Sequence, residues 1–193
     1  MEHIERSFRE AQAVLGQFVD DAEQFPRVAS VADLLAETFR AGGKVLACGN
    51  GGSMSDAMHF AEEWSGRYRK DRAPLPAIAL SDPGHMSCVA NDFGFAEVFA
   101  RQAQALGREG DVLFLLSTSG NSLNLLRASE EGSKRGMKIV SLLGRGGGKL
   151  APLSDIAIIV PGETADRIQE LHIKIIHTII EEVERTLFPD LYT

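Results

Sequence analysis

Residues 44–67 constrain the fold of this chain more than any other stretch. They begin with a short apolar run, residues 45–48, which predicts a buried strand. A glycine-rich turn follows at residues 49–52, and Ser53 then stands where a helix N-cap is expected, ahead of a segment of helical composition. Glycines let backbone N–H groups approach a ligand, and a helix N-terminus carries partial positive charge. A strand, turn and helix in this order therefore favour an anion site.

The composition is typical of a globular protein. The chain has 193 residues, of which 44% are hydrophobic and 24% are charged, and this length suits one domain. No apolar run approaches the roughly 20 residues that cross a bilayer. The N-terminus lacks the pattern of a signal peptide, and the two cysteines do not suggest a disulfide framework. We therefore expect a cytoplasmic protein that does not enter a membrane.

The charge balance argues against general nucleic-acid binding. The formal net charge is −7, and no basic stripe is present. One basic cluster, residues 67–72, has two interpretations. It is either a solvated loop or a source of guanidinium groups that reach a phosphorylated ligand, including across a subunit interface.

Two helices are predicted before the first strand. Residues 2–20 carry a regular apolar seam, and a second helix begins near Pro26 and ends before Gly42 and Gly43. The seam consists of Ile4, Phe8, Ala11, Leu15 and Phe18. A seam of this kind packs either on another subunit or on the rest of its own domain.

The remainder of the chain alternates between strands and helices. The predicted strands are residues 45–48, 77–80, 112–116, 139–143 and 156–160. The predicted helices are residues 54–65, 95–106, 122–135, a short piece at 148–152 and a long helix at about 164–187. This order predicts an α/β fold with an open, doubly wound parallel sheet. Ligands bind such sheets beyond the carboxyl ends of the strands, here residues 49–53, 81–82 and 117–122.

The segment after the third strand is a candidate for a second phosphate cradle. Residues 117–122 read Ser-Thr-Ser-Gly-Asn-Ser, with four hydroxyl groups, free N–H groups and no acidic residue. The alternative is a polar turn with an N-cap.

Two segments resemble nucleotide-binding motifs but do not match them. Met54 replaces the third glycine of the dinucleotide fingerprint, and residues 146–150 lack the Ser or Thr of a P-loop. No nucleotide cofactor is expected.

Two helices offer polar residues suited to chemistry. His59 and Glu63 are four residues apart, and Gln169 and His177 lie in the very apolar last helix, where buried polar groups need partners. These side chains could form a zinc site or an acid/base set, or they could be ordinary surface groups. His172 is expected to face elsewhere and to be structural or interfacial. Separately, Asn91 and Asp92 form either a polar turn or a site that recognises sugar hydroxyls.

At seven places the chain resembles the bacterial phosphoheptose isomerases, a family with the sugar isomerase (SIS) fold. The matching residues are 48–53, 56–63, 66–68, 91–95, 107–113, 117–122 and 166–174. The resemblance covers nearly the whole chain. It implies a single SIS domain over residues 1–193, with an N-terminal helical segment at 1–42 and an α/β core with a long C-terminal helix at 43–193. The core sheet would be five-stranded, parallel and flanked by helices.

The resemblance also implies an activity. Family members interconvert sedoheptulose 7-phosphate and D-glycero-D-manno-heptose 7-phosphate, the first step toward the heptose of lipopolysaccharide. They form homotetramers with active sites at subunit interfaces, and many bind zinc. We therefore expect an aldose–ketose isomerase that acts through an enediol, with one zinc ion per subunit and no partner that is a nucleic acid or a membrane.

The family's site residues carry over to this chain by position. The acid/base pair corresponds to Glu63 and His177. The zinc ligands correspond to His59, Glu63, Gln169 and His177. The substrate contacts correspond to Asn50, Gly51, Gly52, Ser53, Asn91, Asp92, Ser117, Thr118, Ser119, Ser122 and Gln169.

The C-terminal segment supports a competing hypothesis. Residues 186–189 resemble those of another SIS relative, an adaptor that binds the replication initiator DnaA and is not an isomerase. A non-enzymatic adaptor has no chemical need for the four polar residues of the predicted site. A sensor that binds a sugar phosphate without converting it is disfavoured by the same residues. The sequence therefore favours the isomerase.

Overall fold

A five-stranded parallel sheet forms the centre of the molecule. The computed structural model describes residues 1–193. The strands are β1 (Val45–Gly49), β2 (Ala77–Ala79), β3 (Val112–Ser117), β4 (Lys138–Leu143) and β5 (Ile156–Ile159). Their order across the sheet is β2-β1-β3-β4-β5, and all four pairings are parallel. The predicted α/β class and doubly wound sheet are confirmed.

Seven α-helices surround the sheet. They are α1 (Glu2–Asp20), α2 (Gln24–Arg40), α3 (Gly52–Ser65), α4 (Pro83–Phe93), α5 (Ala100–Leu106), α6 (Leu123–Lys134) and α7 (Ala165–Leu187). Short 3-10 turns lie at Phe95–Glu97, Arg145–Gly147, Ala151–Leu153 and Pro189–Leu191. None of these helices combines the length and the apolar character that a membrane crossing needs.

The core has two halves, one on each face of the sheet. Side chains of α2, α3 and α7 pack on one face, and those of α4 and α6, with Val98 and Phe99, pack on the other. Successive residues of β3 show the division: Phe114 belongs to the first half, whereas Leu113 and Leu115 belong to the second. A central strand with both faces covered needs apolar residues throughout, which explains the unbroken apolar run in β3.

The fold differs from the prediction in four places. The helix predicted at 95–106 is a 3-10 turn followed by α5, and the piece predicted at 148–152 is two separate 3-10 turns. Helix α3 begins at Gly52, so Ser53 lies inside its first turn and is not the N-cap. Helix α4 was not predicted, and it places Asn91 and Asp92 in a helix, not in a turn. Its start is nevertheless visible in the sequence: Asp82 accepts a hydrogen bond from the His85 N–H, and Pro83 occupies the first turn.

Helix α1 leaves most of its apolar seam exposed. Ile4, Phe8 and Leu15 are 59%, 75% and 44% exposed, whereas Phe18 is buried. Near Phe18, the exposed ring of Phe25 makes an edge contact with it. The seam therefore does not pack on its own domain along most of its length, and it forms an apolar surface of the kind that a partner covers.

His172 of α7 is enclosed in the core, as expected for a residue that faces away from the predicted site. Its side chain is fully buried, and neither ring nitrogen has a hydrogen-bond partner. Burial lowers the pKa of His172 from 6.5 to about 4, and the nearby backbone of Leu143 offsets a small part of that effect. The imidazole is therefore neutral at pH 7.

Acid should destabilise the protein through His172. The unfolded chain binds a proton at this residue near pH 6.5 and the folded chain only near pH 4, so stability present above pH 6.5 is lost as the pH falls. Between pH 7.5 and pH 5 the expected loss is about 2 kcal/mol. Urea unfolding at both pH values measures it. The variant His172→Leu should lose less stability over the same interval, and an identical loss in both proteins would contradict this explanation.

Candidate functional site

The strand order brings two polar loops to the same edge of the sheet. Strands β1 and β3 are neighbours, and the chain leaves each of them toward a helix on a different face, which is the usual ligand position in such sheets. A cavity of about 340 Å³ opens there, between the loops and the start of α7. Its lining residues are Asn50, Gly52, Ser53, Leu116, Ser117, Thr118, Ser119, Ser122, Ala165 and Gln169.

This cavity is suited to a phosphate group. None of its lining residues is acidic, and the first turns of α3 and α6 lie beside it. Two helix N-termini present free backbone N–H groups and partial positive charge to the same space. The two loops predicted to bind an anion thus line one cavity instead of two.

A reciprocal amide pair joins the two loops. Asn50 donates to Oδ1 of Asn124 at 2.9 Å, and Asn124 donates to Oδ1 of Asn50 at 2.8 Å. Asn124 is buried in the first turn of α6. The side chain of Asn50, predicted to contact substrate, is thus engaged within the protein. The sequence contained no signal for Asn124, because the two residues are 74 positions apart.

Gly120 is a point where the loop after β3 tolerates no side chain. Its φ is +63°, and a Cβ at this position would lie 2.0 Å from the carbonyl oxygen of Gly147, a backbone atom that has little room to move. The loop is further held by the Gly120 N–H, which donates to Oγ of Ser117 at 3.0 Å. Close packing against the 3-10 turn Arg145–Gly147 therefore fixes the loop whose residues 117–119 line the cavity.

We expect Gly120→Ala to be costly. The strained backbone conformation alone costs about 1–3 kcal/mol, and the contact with Gly147 adds to that. The variant should unfold at a lower denaturant concentration and bind the substrate more weakly, as measured by urea unfolding and by KM. Gly16→Ala in α1 is the matched control, since a Cβ there has no atom within 4 Å. Equal stability of Gly120→Ala and the parent protein would contradict the assigned role.

A second group of polar side chains lies between α3 and α7. Nε2 of His59 is 3.1 Å from Oε1 of Glu63 and 3.3 Å from Nε2 of His177. The three side chains offer one ligand atom each, all within 4.8 Å of one another. Glu63 is 14% exposed and His59 is 40% exposed, so the group is open to solvent on one side. The sequence placed these residues on two helices, and the structure brings them together.

The electrostatics of this group favour a neutral imidazole at position 177. Burial lowers the pKa of His177, the neighbouring His59 lowers it further, and Glu63 opposes the shift. Asp56, one turn before His59 on α3, has a pKa raised to about 6 by burial, and its Oδ2 atom is buried without a hydrogen-bond partner. Neutral imidazoles beside a carboxylate can accept protons or bind a metal ion.

The donor set fits a divalent metal ion such as zinc. Two imidazole nitrogens and one carboxylate oxygen are common zinc ligands. The 3.3 Å between the two histidine nitrogens matches the edge of a tetrahedron with bonds of about 2.0–2.1 Å. The structure thus brings together three side chains, those of His59, Glu63 and His177, whose donor atoms fit a metal ion.

Gln169 lies in the cavity and connects it to α7. Its Nε2 donates to Oγ of Ser53 at 3.3 Å, and its amide lies against Gly52, where a Cβ would come within 2.6 Å of it. Glycine at position 52 therefore makes room for this side chain. The role of Gln169 as a fourth metal ligand stays a prediction.

Asn91 and Asp92 do not line the cavity. Asn91 donates to Oδ1 of Asp92 at 2.8 Å, and Cys88 lies 3.6 Å from Oδ2 of Asp92. Both residues are exposed near the end of α4. Within one chain, these two side chains are separate from the rest of the predicted substrate site.

The basic cluster at residues 67–72 fits neither interpretation as a whole. Arg72 turns inward and forms a buried ion pair with Glu184, and Arg69 pairs with Glu181 at 2.8 Å. Tyr68 packs beside His177, with ring centroids 5.8 Å apart. Among the basic residues of the cluster, only Arg67 and Lys70 are exposed without an ion pair. The pattern of charges gave no sign of the inward turn, since it depends on partners more than 100 residues away.

Comparison with known proteins agrees with this geometry. The family model of the SIS domain matches residues 8–144. The chain is 54% identical over 179 residues to the phosphoheptose isomerase of Cytophaga hutchinsonii, covering 92% of this chain and 94% of that protein. It is also 54% identical over 185 residues to the phosphoheptose isomerase of Vibrio cholerae, covering 95% and 97%.

A solved structure shows the same similarity to phosphoheptose isomerases. The phosphoheptose isomerase of Francisella tularensis superposes with a TM-score of 0.91 at 35% sequence identity, and the match covers 95% of this chain and 97% of that one. Similarity of this extent covers nearly the whole of both chains.

Proposed function

The chain belongs to the phosphoheptose isomerase family of SIS-domain proteins, and we propose that it acts through an enediol formed between α3 and α7. It is an aldose–ketose isomerase that interconverts sedoheptulose 7-phosphate and D-glycero-D-manno-heptose 7-phosphate. The single observation that carries the proposed mechanism is the convergence of His59, Glu63 and His177 within 4.8 Å. The product is the precursor of the heptose of lipopolysaccharide.

The phosphate cavity and the three converging side chains stand at opposite ends of the bound substrate in this proposal. Ser53 and His59 are six residues apart on α3, or about 9 Å along its axis. An extended seven-carbon sugar with a terminal phosphate spans that length. The loops containing Gly51 and Thr118 would hold the phosphate, and this binding energy would orient the carbonyl end near Glu63.

Glu63 and His177 would move the protons. Glu63, as a carboxylate, removes the proton from the carbon beside the carbonyl, and after exchange with solvent its carboxyl group delivers a proton to the neighbouring carbon. His177, neutral because of its burial, exchanges a proton with the substrate oxygens. The hydrogen bond between His59 and Glu63 at 3.1 Å orients the carboxylate. No redox cofactor is needed, because the reaction only relocates protons and a double bond.

We propose that His59, Glu63, Gln169 and His177 hold one zinc ion per subunit. The donor chemistry and the spacing of the three converging ligand atoms support this zinc site. When bound, zinc would polarise the carbonyl and hydroxyl oxygens as a Lewis acid.

We propose that the subunits form a homotetramer in which α1 lies at an interface. The exposed seam of Ile4, Phe8 and Leu15 supports an apolar partner surface. Assembly would also give Asn91 and Asp92 a role, since a neighbouring subunit could bring these exposed side chains to a substrate bound elsewhere. The two free cysteines agree with a cytoplasmic location.

The adaptor hypothesis receives no support. The relatives reported above carry the name of an isomerase. The residues that suggested an adaptor, 186–189, run from the end of α7 into the 3-10 turn Pro189–Leu191, and Tyr192 bonds back to α7.

Incubation with sedoheptulose 7-phosphate tests the proposed function. The purified protein should produce the aldose, detected by chromatography, and chelator should remove the activity until zinc is added back. Failure to convert the substrate with zinc present would contradict the isomerase. Full activity after verified metal removal would contradict the role of zinc alone.

A further inference from the structure

The carboxyl end of α3 is held by one buried arginine. Arg72 donates from Nη1 to the carbonyl oxygen of Trp64 at 2.6 Å and from Nη2 to that of Glu63 at 2.7 Å. These two carbonyl oxygens belong to the last turn of α3. The carbonyl oxygens of a last turn have no hydrogen-bond partners within their own helix. The Arg72 side chain is 0% exposed. Arg72 therefore caps α3 at the residue that supplies the proposed base.

The same guanidinium connects α3 to α7. Its Nε lies 2.8 Å from Oε1 of Glu184, whose side chain is also 0% exposed. The other carboxylate oxygen of Glu184 accepts a hydrogen bond from the hydroxyl of Tyr192, in the C-terminal segment. Burial and the bond to Glu184 raise the pKa of Tyr192, which keeps its phenol protonated. Every charged atom in this group thus has a partner.

The contacts between the loop and α7 follow one side of the helix. Tyr68 packs beside His177, Arg69 pairs with Glu181, and Arg72 pairs with Glu184. The three α7 residues are spaced by four and three positions, so they share a face. The loop that leaves α3 therefore runs along the face of α7 that carries His177.

We propose that Arg72, with Glu184 and Tyr192, is a positioning group that sets Glu63 opposite His177. The proposal rests on the proposed function, because it assigns Arg72 to the same proton-transfer site. Arg72 acts through the backbone of Glu63 and does not touch the substrate. Buried ion pairs are weak sources of stability but can specify one arrangement of two elements. A displacement of about 1 Å at a reacting group can cost on the order of 10²-fold in rate.

Arg72→Lys tests the proposal. Lysine keeps the charge but lacks the planar fork that bonds two carbonyls and a carboxylate at once. We expect kcat to fall about 10–100-fold and the affinity for Zn²⁺ to weaken about 10–100-fold. KM should change little, because the phosphate cavity lies at the other end of α3. The Zn²⁺ affinity is measured by competition with a chromogenic chelator, well below the unfolding temperature.

Arg127→Lys is the matched control. Arg127 of α6 also pairs with a carboxylate, Oε1 of Glu97, at 2.8 Å, but it lies on the other side of the sheet from α7. This variant should keep the kcat and the Zn²⁺ affinity of the parent protein. If Arg72→Lys lowers only the unfolding temperature and matches Arg127→Lys in kcat and Zn²⁺ affinity, Arg72 is merely structural and the proposal is overturned.

Tyr192→Phe decides the question if Arg72→Lys does not fold. It removes one hydrogen bond at the edge of the group and keeps the ring, and we expect it to lower kcat or Zn²⁺ affinity about 3–10-fold. Parental values for both would overturn the proposal. The zinc titration does not depend on turnover. A parent protein that binds Zn²⁺ but converts no sugar phosphate would contradict the proposed function, while the Zn²⁺ affinities of the variants would still test the positioning role.

Discussion

Glu63→Gln should lower turnover by about 10²–10⁴-fold, the usual contribution of a general acid/base residue. Glutamine has nearly the same shape and can still accept the hydrogen bond from His59, but it does not accept a proton from carbon. Steady-state kinetics with sedoheptulose 7-phosphate measures the effect. KM should stay within a few-fold of the parental value, because the phosphate cavity is untouched.

The neighbouring residue provides a control for Glu63→Gln. Glu62→Gln makes the same chemical change one position earlier, on a side chain that is 65% exposed and 3.8 Å from His59. It should change turnover less than about threefold. Zinc content is measured in both variants, so that loss of a ligand is separated from loss of the base. Full turnover in Glu63→Gln would show that another group removes the proton.

His177→Gln should have the second large effect, and it should reduce both turnover and metal binding. The variant loses the neutral imidazole next to His59, which is 3.3 Å away. We expect turnover to fall by about 10²–10⁴-fold and Zn²⁺ affinity to fall by at least tenfold. Steady-state kinetics and competition with a chelator measure the two effects separately.

A second histidine outside the site serves as the control for this variant. His3→Gln changes an exposed residue of α1, and it should leave both measurements unaltered. Unchanged turnover in His177→Gln, with weakened zinc binding, would restrict His177 to a metal ligand. Unchanged values of both would contradict its place in the site.

The sheet could be predicted because its strands are buried on both faces. Residues 112–116 form an unbroken apolar run, and β3 extends it by only one residue, Ser117. Helix α1 was predicted with its observed bounds, since its apolar seam repeats regularly. Helix α4 was missed because its burial is slight: Val89 is its one fully buried residue, so it lacks a clear apolar stripe.

The part of the site that lies on a single helix could be predicted from the sequence. His59 and Glu63 share a face of α3 by spacing alone. The partnership between α3 and α7 followed from polar residues in an apolar helix together with the family resemblance. Arg72 could not be predicted, because its partner Glu184 is 112 positions away and a basic cluster normally lies in solvent.

Conversion of sedoheptulose 7-phosphate in D₂O, followed by proton NMR, tests the central claim most directly. Proton transfer through a base such as Glu63, which is partly open to solvent, predicts that the aldose carries deuterium at the carbon that receives the proton. Glu63→Gln should lose conversion and deuterium incorporation together. Conversion and deuterium incorporation that both stay at the parental level in Glu63→Gln would contradict the account.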